Sequence, residues 1–401
     1  MAVATSFSGA DSLIGYLYQL RMALLLSLKR LPGGADFAVS IETLDDVTFE
    51  TRGGTPQELV QTKHHRHREA SLSDSSSDLW KSIRIWMDSV VSDRILPGTN
   101  LFLITTSTAA KGSAAYHLRG GDRDVENALI ALESIARTSS NQDNNSAYKE
   151  FLKVDQTVRR AILNSIIVID GAPSIADADS ELRSVIFSAV NRNHLEPFVE
   201  RLEGWWIRRV LRQLVVPGDR ILAEELEAQM ADLREQFKQE SLPIDEDILD
   251  FMLDDVTRST HSSSAFVLQI ELAKASKQRI AAAIRDYYRA FEQRSRWLRD
   301  DLVYVGEVHQ YERRLVEAWD LVFLAMKDEI GEDATIEAQE AAARDVLRWA
   351  EQSVIPIRSQ VTEPFVTRGS LHMLADEQRV GWHPEFRTLL AKLLVPQGGA
   401  V

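Results

Sequence analysis

Two short segments hold residue types suited to phosphodiester chemistry. Residues 41–50, IETLDDVTFE, gather Glu42, Asp45 and Asp46, and residues 58–65, ELVQTKHH, supply Gln61 and Lys63. An acidic strand beside a [Glu/Gln]-x-Lys strand is the minimal equipment of a metal-dependent phosphodiesterase. A hard divalent ion such as Mg²⁺ (or Mn²⁺) takes oxygen ligands, retaining several waters. Asp46 offers a carboxylate, Gln61 a neutral carbonyl oxygen, and Glu42 a second carboxylate directly or through water. Such an ion neutralises a scissile phosphate and lowers the pKa of water. Lys63 adds a cation for the charge that builds on phosphorus and orients the attacking water.

Strand parity sharpens the grouping, because side chains alternate faces with period two. Read as one strand, residues 41–50 put Glu42, Leu44 and Asp46 on one face and Val47 and Phe49 on the other. On the second strand Leu59, Gln61 and Lys63 share a face. Asp46, Gln61 and Lys63 then converge, and Asp45 points away unless a bulge swaps the two aspartates. The same residue types also end ordinary hairpins with no chemical role. His64, His65, Arg66 and Arg68 follow at once and suit contacts to a nucleic-acid phosphate backbone. The cluster of His64, His65 and His67 lacks the cysteines or the i, i+4 pair of familiar zinc sites. Gln19, after Tyr16 and Tyr18 on an otherwise apolar helix, is placed to face inward.

The elements that position these residues follow from periodicity. Residues 11–31 have the broad apolar face of a helix, stopped by Pro32-Gly33-Gly34. A strand from residue 37 to 50, the turn Arg52-Gly53-Gly54-Thr55-Pro56 and a strand over 58–63 read as a hairpin. A helix over 78–91, capped near Ser77, comes next. A buried strand LFLITT over 101–106, a helix over 124–137 and a buried strand SIIVI over 165–169 complete a mixed α/β pattern. From about residue 180 strand signals vanish. Helical periodicity covers 182–190, 199–214, 220–240, 248–256, 265–303 (one kinked helix or two), 307–329, 334–353 and 384–394, as in a bundle. The expected division is an α/β domain over 1–190 and an α-helical domain over 191–401.

Composition bounds the function classes. The 401 residues contain no cysteine, so disulfides and thiolate metal sites are excluded. No apolar run spans a membrane, and a cytoplasmic protein is expected. The formal net charge is −14, which disfavours a nucleic-acid surface over the whole chain. The first 120 residues nevertheless hold roughly equal numbers of acids and bases, and the acidic excess lies downstream.

The set Gly15-Tyr16-Leu17-Tyr18-Gln19, Glu42-x-x-Asp45-Asp46-Val47, Gln61-Thr62-Lys63-His64-His65, Asp78-Leu79-Trp80-Lys81 and LFLITT resembles a known effector family. This is the restriction-endonuclease-like (PD-(D/E)xK) double-stranded DNA endonuclease domain of CD-NTase-associated effectors and of Lamassu anti-phage systems. The resemblance covers roughly residues 9–190. It implies Asp46 as the metal-binding acid with Asp45 beside it, Gln61 in the Glu/Gln position, Lys63 as the catalytic lysine, and Gln19 in the Tyr-Gln helix position. Gln61 departs from the commoner Glu, which leaves the full ligand set open. Residues 202–206 (LEGWW), 241–245 (SLPID) and 368–386 (RGSLHMLADEQRVGWHPEF) resemble the C-terminal region of effectors in ABC-three-component systems. There a nuclease-type protein works beside an SMC-like ATPase and a smaller third subunit.

The two resemblances together imply largely non-specific cleavage of double-stranded DNA, inactivity within the ATPase assembly, and self-assembly into a homo-oligomer on release. A catalytically degenerate interaction subunit and an RNase of the same fold are the rival expectations. Trp205, Trp206, Arg368, Trp382 and His383 are expected in partner contact or in structural roles. Gly369-Ser370 and residues 381–384 read as turn and core residues of a bundle cap.

Overall fold

The computed structural model describes residues 9–64, 71–96, 98–121 and 123–394, which divide into two compact units, 1–232 and 233–401. The first is built on a six-stranded mixed sheet. Helix α1 (Gly9–Arg30) leads through a short 3-10 turn into β1 (Phe37–Ile41), β2 (Val47–Thr51) and β3 (Pro56–Lys63). These three strands form an antiparallel meander. Strand β4 (Ser71–Leu72) follows, then α2 (Ser77–Val91), β5 (Asn100–Thr105) and β6 (Thr108–Ala109). Helices α3 (Ala114–His117), α4 (Val125–Thr138), α5 (Asn145–Lys153) and α6 (Gln156–Ser165) precede β7 (Ile166–Ile169). Helices α7 (Ile175–Ile186) and α8 (Leu195–Val215), strand β8 (Ile221–Leu222) and α9 (Ala223–Gln236) follow. The sheet order is β7-β5-β3-β2-β1-β8, with β3, β5 and β7 parallel, and β4 and β6 form a separate two-stranded ladder.

Three expectations change. Residues 37–50 are two strands, not one: β1 ends at Ile41, and 42–46 form a connection closed by Glu42 N–H donating to Asp46 O at 3.2 Å. Glu42 takes a left-handed φ of 52° there, a conformation that costs a non-glycine residue free energy. Strands also do not end at residue 180, because β8 adds to the edge of β1 through the pairs Ala38–Leu222 and Val39–Ile221. Consequently the first unit continues past 190. Helix α8 packs on α1, α7 and β1, and Trp206 donates its indole N–H to Leu20 O at 2.9 Å.

The turn at residues 52–55 is as expected. Thr51 N–H donates to Thr55 O at 2.9 Å, and Gly54 takes the positive φ of 88° that glycine reaches without penalty. Alternate residues Leu59, Leu101, Leu103, Ile166 and Val168 form one sheet face, which packs on Leu79, Trp80, Ile83 and Trp86 of α2 and on α4 to α6. Gln61 lies in the same parity as Leu59, so it too projects toward α2.

The second unit is helical: α10 (Glu246–Leu249), α11 (Asp255–His261), α12 (Ala265–Leu272), α13 (Lys277–Arg299), α14 (Val305–Ile330), α15 (Ile336–Gln352), α16 (Pro364–Asp376) and α17 (Phe386–Leu393). The expected 265–303 segment is two helices, broken at residues 273–276, where Lys274 takes a left-handed φ of 54° and Ser276 caps α13. Gly369 and Ser370 do not form a turn. They lie inside α16, where a Cβ on Gly369 would sit 2.0 Å from Asp286 O and 2.5 Å from Ala290 Cβ. Glycine is therefore what lets α16 and α13 touch backbone to backbone. No described helix is long and apolar enough to cross a membrane.

Candidate functional site

The site forms where the 42–46 connection meets the C-terminal end of β3. Pairing of Val47 with Val60 sets the register, so Asp46, one residue before β2, lies beside Gln61 and Thr62. Asp46 Oδ2 accepts from Thr62 N–H at 2.7 Å and from Thr62 Oγ1 at 3.2 Å. Its Oδ1 has a 3.2 Å contact from Gln61 Nε2. Lys63 Nζ donates to Gln61 Oε1 at 2.7 Å and stands 3.9 Å from Asp46 Oδ2. Gln19 reaches in from α1, almost fully buried, and donates to Asp46 O at 2.6 Å and Glu42 Oε1 at 3.0 Å. Glu42 itself is exposed.

Asp45 does not point away. Because 42–46 is a loop, strand parity does not govern it, and both aspartates converge on Gln61. Asp45 Oδ1 accepts from Gln61 Nε2 and, at 3.0 Å, from Asp46 N–H. Its Oδ2 accepts from the Trp86 indole N–H at 2.6 Å. Burial pushes the Asp45 carboxyl up to about 6, against the hydrogen bonds from Gln61 and Trp86, which pull it down. Gln61 turns its amide NH₂ to the two carboxylates and its carbonyl to Lys63. In this arrangement it is a donor to the aspartates, as a stand-in for a cation would be, and its Oε1 faces the lysine.

Trp86 is the residue that sequence reading missed. It lies on α2, which was legible, but α2 carries two core tryptophans, and nothing in the sequence separates Trp86 from Trp80, whose N–H goes to Asp74 O at 2.6 Å. Gln213 was missed for the same reason. It is buried on α8 and brackets Ile41, accepting from Ile41 N–H at 3.1 Å and donating to Ile41 O at 3.4 Å. Helix α8 thereby anchors the start of the 42–46 connection.

His64 packs its ring 4.8 Å from Tyr18, whose hydroxyl donates to Pro173 O at 3.0 Å. His65, Arg66, His67 and Arg68 lie outside the described residues. Among the described residues, no three His, Asp or Glu side chains are grouped to hold a metal ion. The donor chemistry still fits Mg²⁺ or Mn²⁺. Such ions need one or two carboxylates plus water and substrate oxygens, and Glu42, Asp45, Asp46 and Gln61 offer oxygen acceptors alone. Asp46 is the more accessible of the two: its side chain is 18% exposed and its Oδ1 takes only a 3.2 Å contact, whereas Asp45 is buried and its Oδ2 is held at 2.6 Å by Trp86.

The remaining expected positions are structural. Trp206 is core, and Trp205 is half-buried with its ring 6.3 Å from that of Trp206. In the second unit Arg368 Nε pairs with buried Asp286 Oδ2 at 2.6 Å. Trp382 is fully buried, edge-on to His372. His383 is buried, its Nδ1 accepts from Glu385 N–H at 3.0 Å, and burial lowers its pKa.

Comparison with known proteins adds the following. No curated protein matches the chain. A solved structure, the Moraxella osloensis Cap4 SAVED/CARF-domain containing receptor, aligns at 14% identity with a TM-score of 0.34, over 59% of this chain and 55% of that one. The alignment thus spans about half of that receptor, and the likeness is too low to assign a fold or a function. Residues 266–390 match the family model described as C-terminal domain 7 of the ABC-three component (ABC-3C) systems. The second unit therefore carries a C-terminal domain of the ABC-three component systems, and this ties the chain to a system of that kind.

Proposed function

We propose that the protein is a metal-dependent, largely non-specific double-stranded DNA endonuclease and the effector of an ABC-three-component defence system of the Lamassu type. One observation carries the reading. Asp46, Gln61 and Lys63 meet at the end of β3, with Lys63 Nζ 2.7 Å from Gln61 Oε1 and 3.9 Å from Asp46 Oδ2. The first unit runs helix, three-stranded meander, helix, parallel strand, the order expected of a restriction-endonuclease-like core, and we take it to be one.

In this account Asp46 would hold Mg²⁺ or Mn²⁺, with Glu42 directly or through water, while Gln61, its carbonyl turned to Lys63, positions the lysine and is not an ion ligand in this arrangement. The ion supplies positive charge for the scissile phosphate and acidifies water. Lys63, its ammonium anchored by Gln61, neutralises charge that builds on the phosphate oxygens and orients the attacking water. Gln19 holds the 42–46 connection through Asp46 O and Glu42. His64, His65, Arg66 and Arg68 contact the DNA backbone. The helical unit docks on an SMC-like ATPase with a smaller third subunit, and release permits a homo-oligomer whose paired sites cut both strands.

Cleavage of supercoiled plasmid by the purified protein with Mg²⁺ tests this, with Asp46→Ala and Lys63→Ala as controls and RNA offered in parallel. Loss of cleavage in both variants supports the reading, and preferential RNA cleavage replaces DNA as the substrate. The hydrogen bonds already filling Asp45 and Gln61 favour a second reading, a degenerate interaction subunit of the same complex. Equal background in wild type and variants selects it.

A further inference from the structure

We propose that Trp86 and Asp45 are positioning residues that fix Gln61 and, through it, Lys63, leaving Asp46 as the aspartate that meets the cation; this rests on the nuclease reading. Four residues form one continuous hydrogen-bonded chain. The Trp86 indole N–H donates to Asp45 Oδ2 at 2.6 Å, Asp45 Oδ1 accepts from Gln61 Nε2, and Gln61 Oε1 accepts from Lys63 Nζ at 2.7 Å. The chain starts in the core, since Trp86 is 0% exposed, and ends on a lysine side chain that is 22% exposed.

Each link removes a freedom. A buried indole N–H needs an acceptor, and Asp45 is the one it has. A carboxylate as buried as Asp45, 6% exposed, must be compensated by donors. It takes three, from α2, from β3 and from the Asp46 backbone. Asp45 is 6% exposed with both carboxylate oxygens bound to protein donors, so it presents little surface to an ion, whereas the Asp46 side chain is 18% exposed. The donor demand of Asp45 also decides which way the Gln61 amide faces, because only its NH₂ satisfies the carboxylate. The carbonyl is thereby aimed at Lys63. Trp86 thus sets the position of the lysine from three hydrogen bonds away, while Asp46, whose Oδ2 is held by Thr62 and whose Oδ1 takes only a 3.2 Å contact from Gln61, is the more accessible carboxylate.

The test uses the full-length protein with Trp86 replaced by benzothienylalanine, which keeps the bicyclic shape and lacks the N–H, alongside Trp86→Phe, Asp45→Asn and Asp46→Asn. The relay predicts that the isostere, which leaves buried Asp45 one donor short, melts earlier than wild type yet stays folded at the assay temperature, and keeps the KM for plasmid while kcat falls about tenfold to a hundredfold, the scale of a small misplacement of a reacting group. In ¹⁵N-tryptophan-labelled protein, the Trp86 indole resonance should shift in Asp45→Asn and stay in place in Asp46→Asn. Wild-type kcat in the isostere, or an indole resonance indifferent to Asp45→Asn, overturns the proposal. If wild type cleaves neither DNA nor RNA, the nuclease reading has failed on its own, and the indole resonance alone then decides the relay.

Discussion

At the residue scale, the site is a problem of charge compensation. Two adjacent carboxylates, Asp45 and Asp46, share one amide NH₂, and the Lys63 ammonium is held by that amide's other end. Gln61→Glu would replace the shared donor with a third carboxylate. Without metal we expect it to cost about 2 to 3 kcal/mol, the scale of lost hydrogen bonds plus uncompensated buried charge. Millimolar Mg²⁺ should recover most of that, giving a larger metal-induced rise in melting midpoint than in wild type. Thermal melts with and without Mg²⁺ check this. In the second unit, burial beside Arg368 lowers the His372 pKa to about 3. Unfolded, this imidazole titrates near 6.5 and so binds its proton first. Its contribution to stability is complete above about pH 6.5 and drains away as pH falls toward 3. Between pH 7 and 5 the loss is about 2 kcal/mol. His372→Phe should lose correspondingly less over that interval in urea titrations.

At the scale of elements, the site depends on parts remote in sequence. Gln213→Ala leaves the buried N–H and C=O of Ile41 without their α8 partner, at a cost of about 1 to 3 kcal/mol. The 42–46 connection should loosen, with faster amide exchange at residues 42–46 and reduced cleavage. Gly369→Ala forces α13 and α16 apart and should destabilise by about 1 to 3 kcal/mol or more, read as an earlier denaturation midpoint. Much of this architecture was legible. The Gly-Gly turn, the parity of Leu59, Gln61 and Lys63, the buried strands at 100–105 and 166–169, and most helices of the second unit all follow from periodicity and turn chemistry. Three features were not. The break at 42–46 carries no glycine or proline and rests on Glu42 in a left-handed conformation. Strand β8 is two residues long and exists only by pairing with β1. Residues 364–376 contain a glycine that reads as a turn and serves as a contact point inside a helix.

At the scale of the whole molecule, the chain forms two compact units of different content. The first holds the acidic connection, Lys63 and the sheet. The second carries the ABC-three-component C-terminal domain, with Trp382 and His383 inside its own core. On the proposed reading, an ATPase that docks on this unit would meet other residues than these two. The central claim remains chemical, and one measurement bears on it most directly: Mg²⁺-dependent cleavage of supercoiled plasmid by full-length protein purified away from its partners, compared with Asp46→Ala and Lys63→Ala at matched stability. The account predicts nicked and linear product in wild type, none with EDTA, and rates at least about a hundredfold lower in both variants. Folded wild type that leaves the plasmid intact, or variants that cleave as fast as wild type, would contradict it.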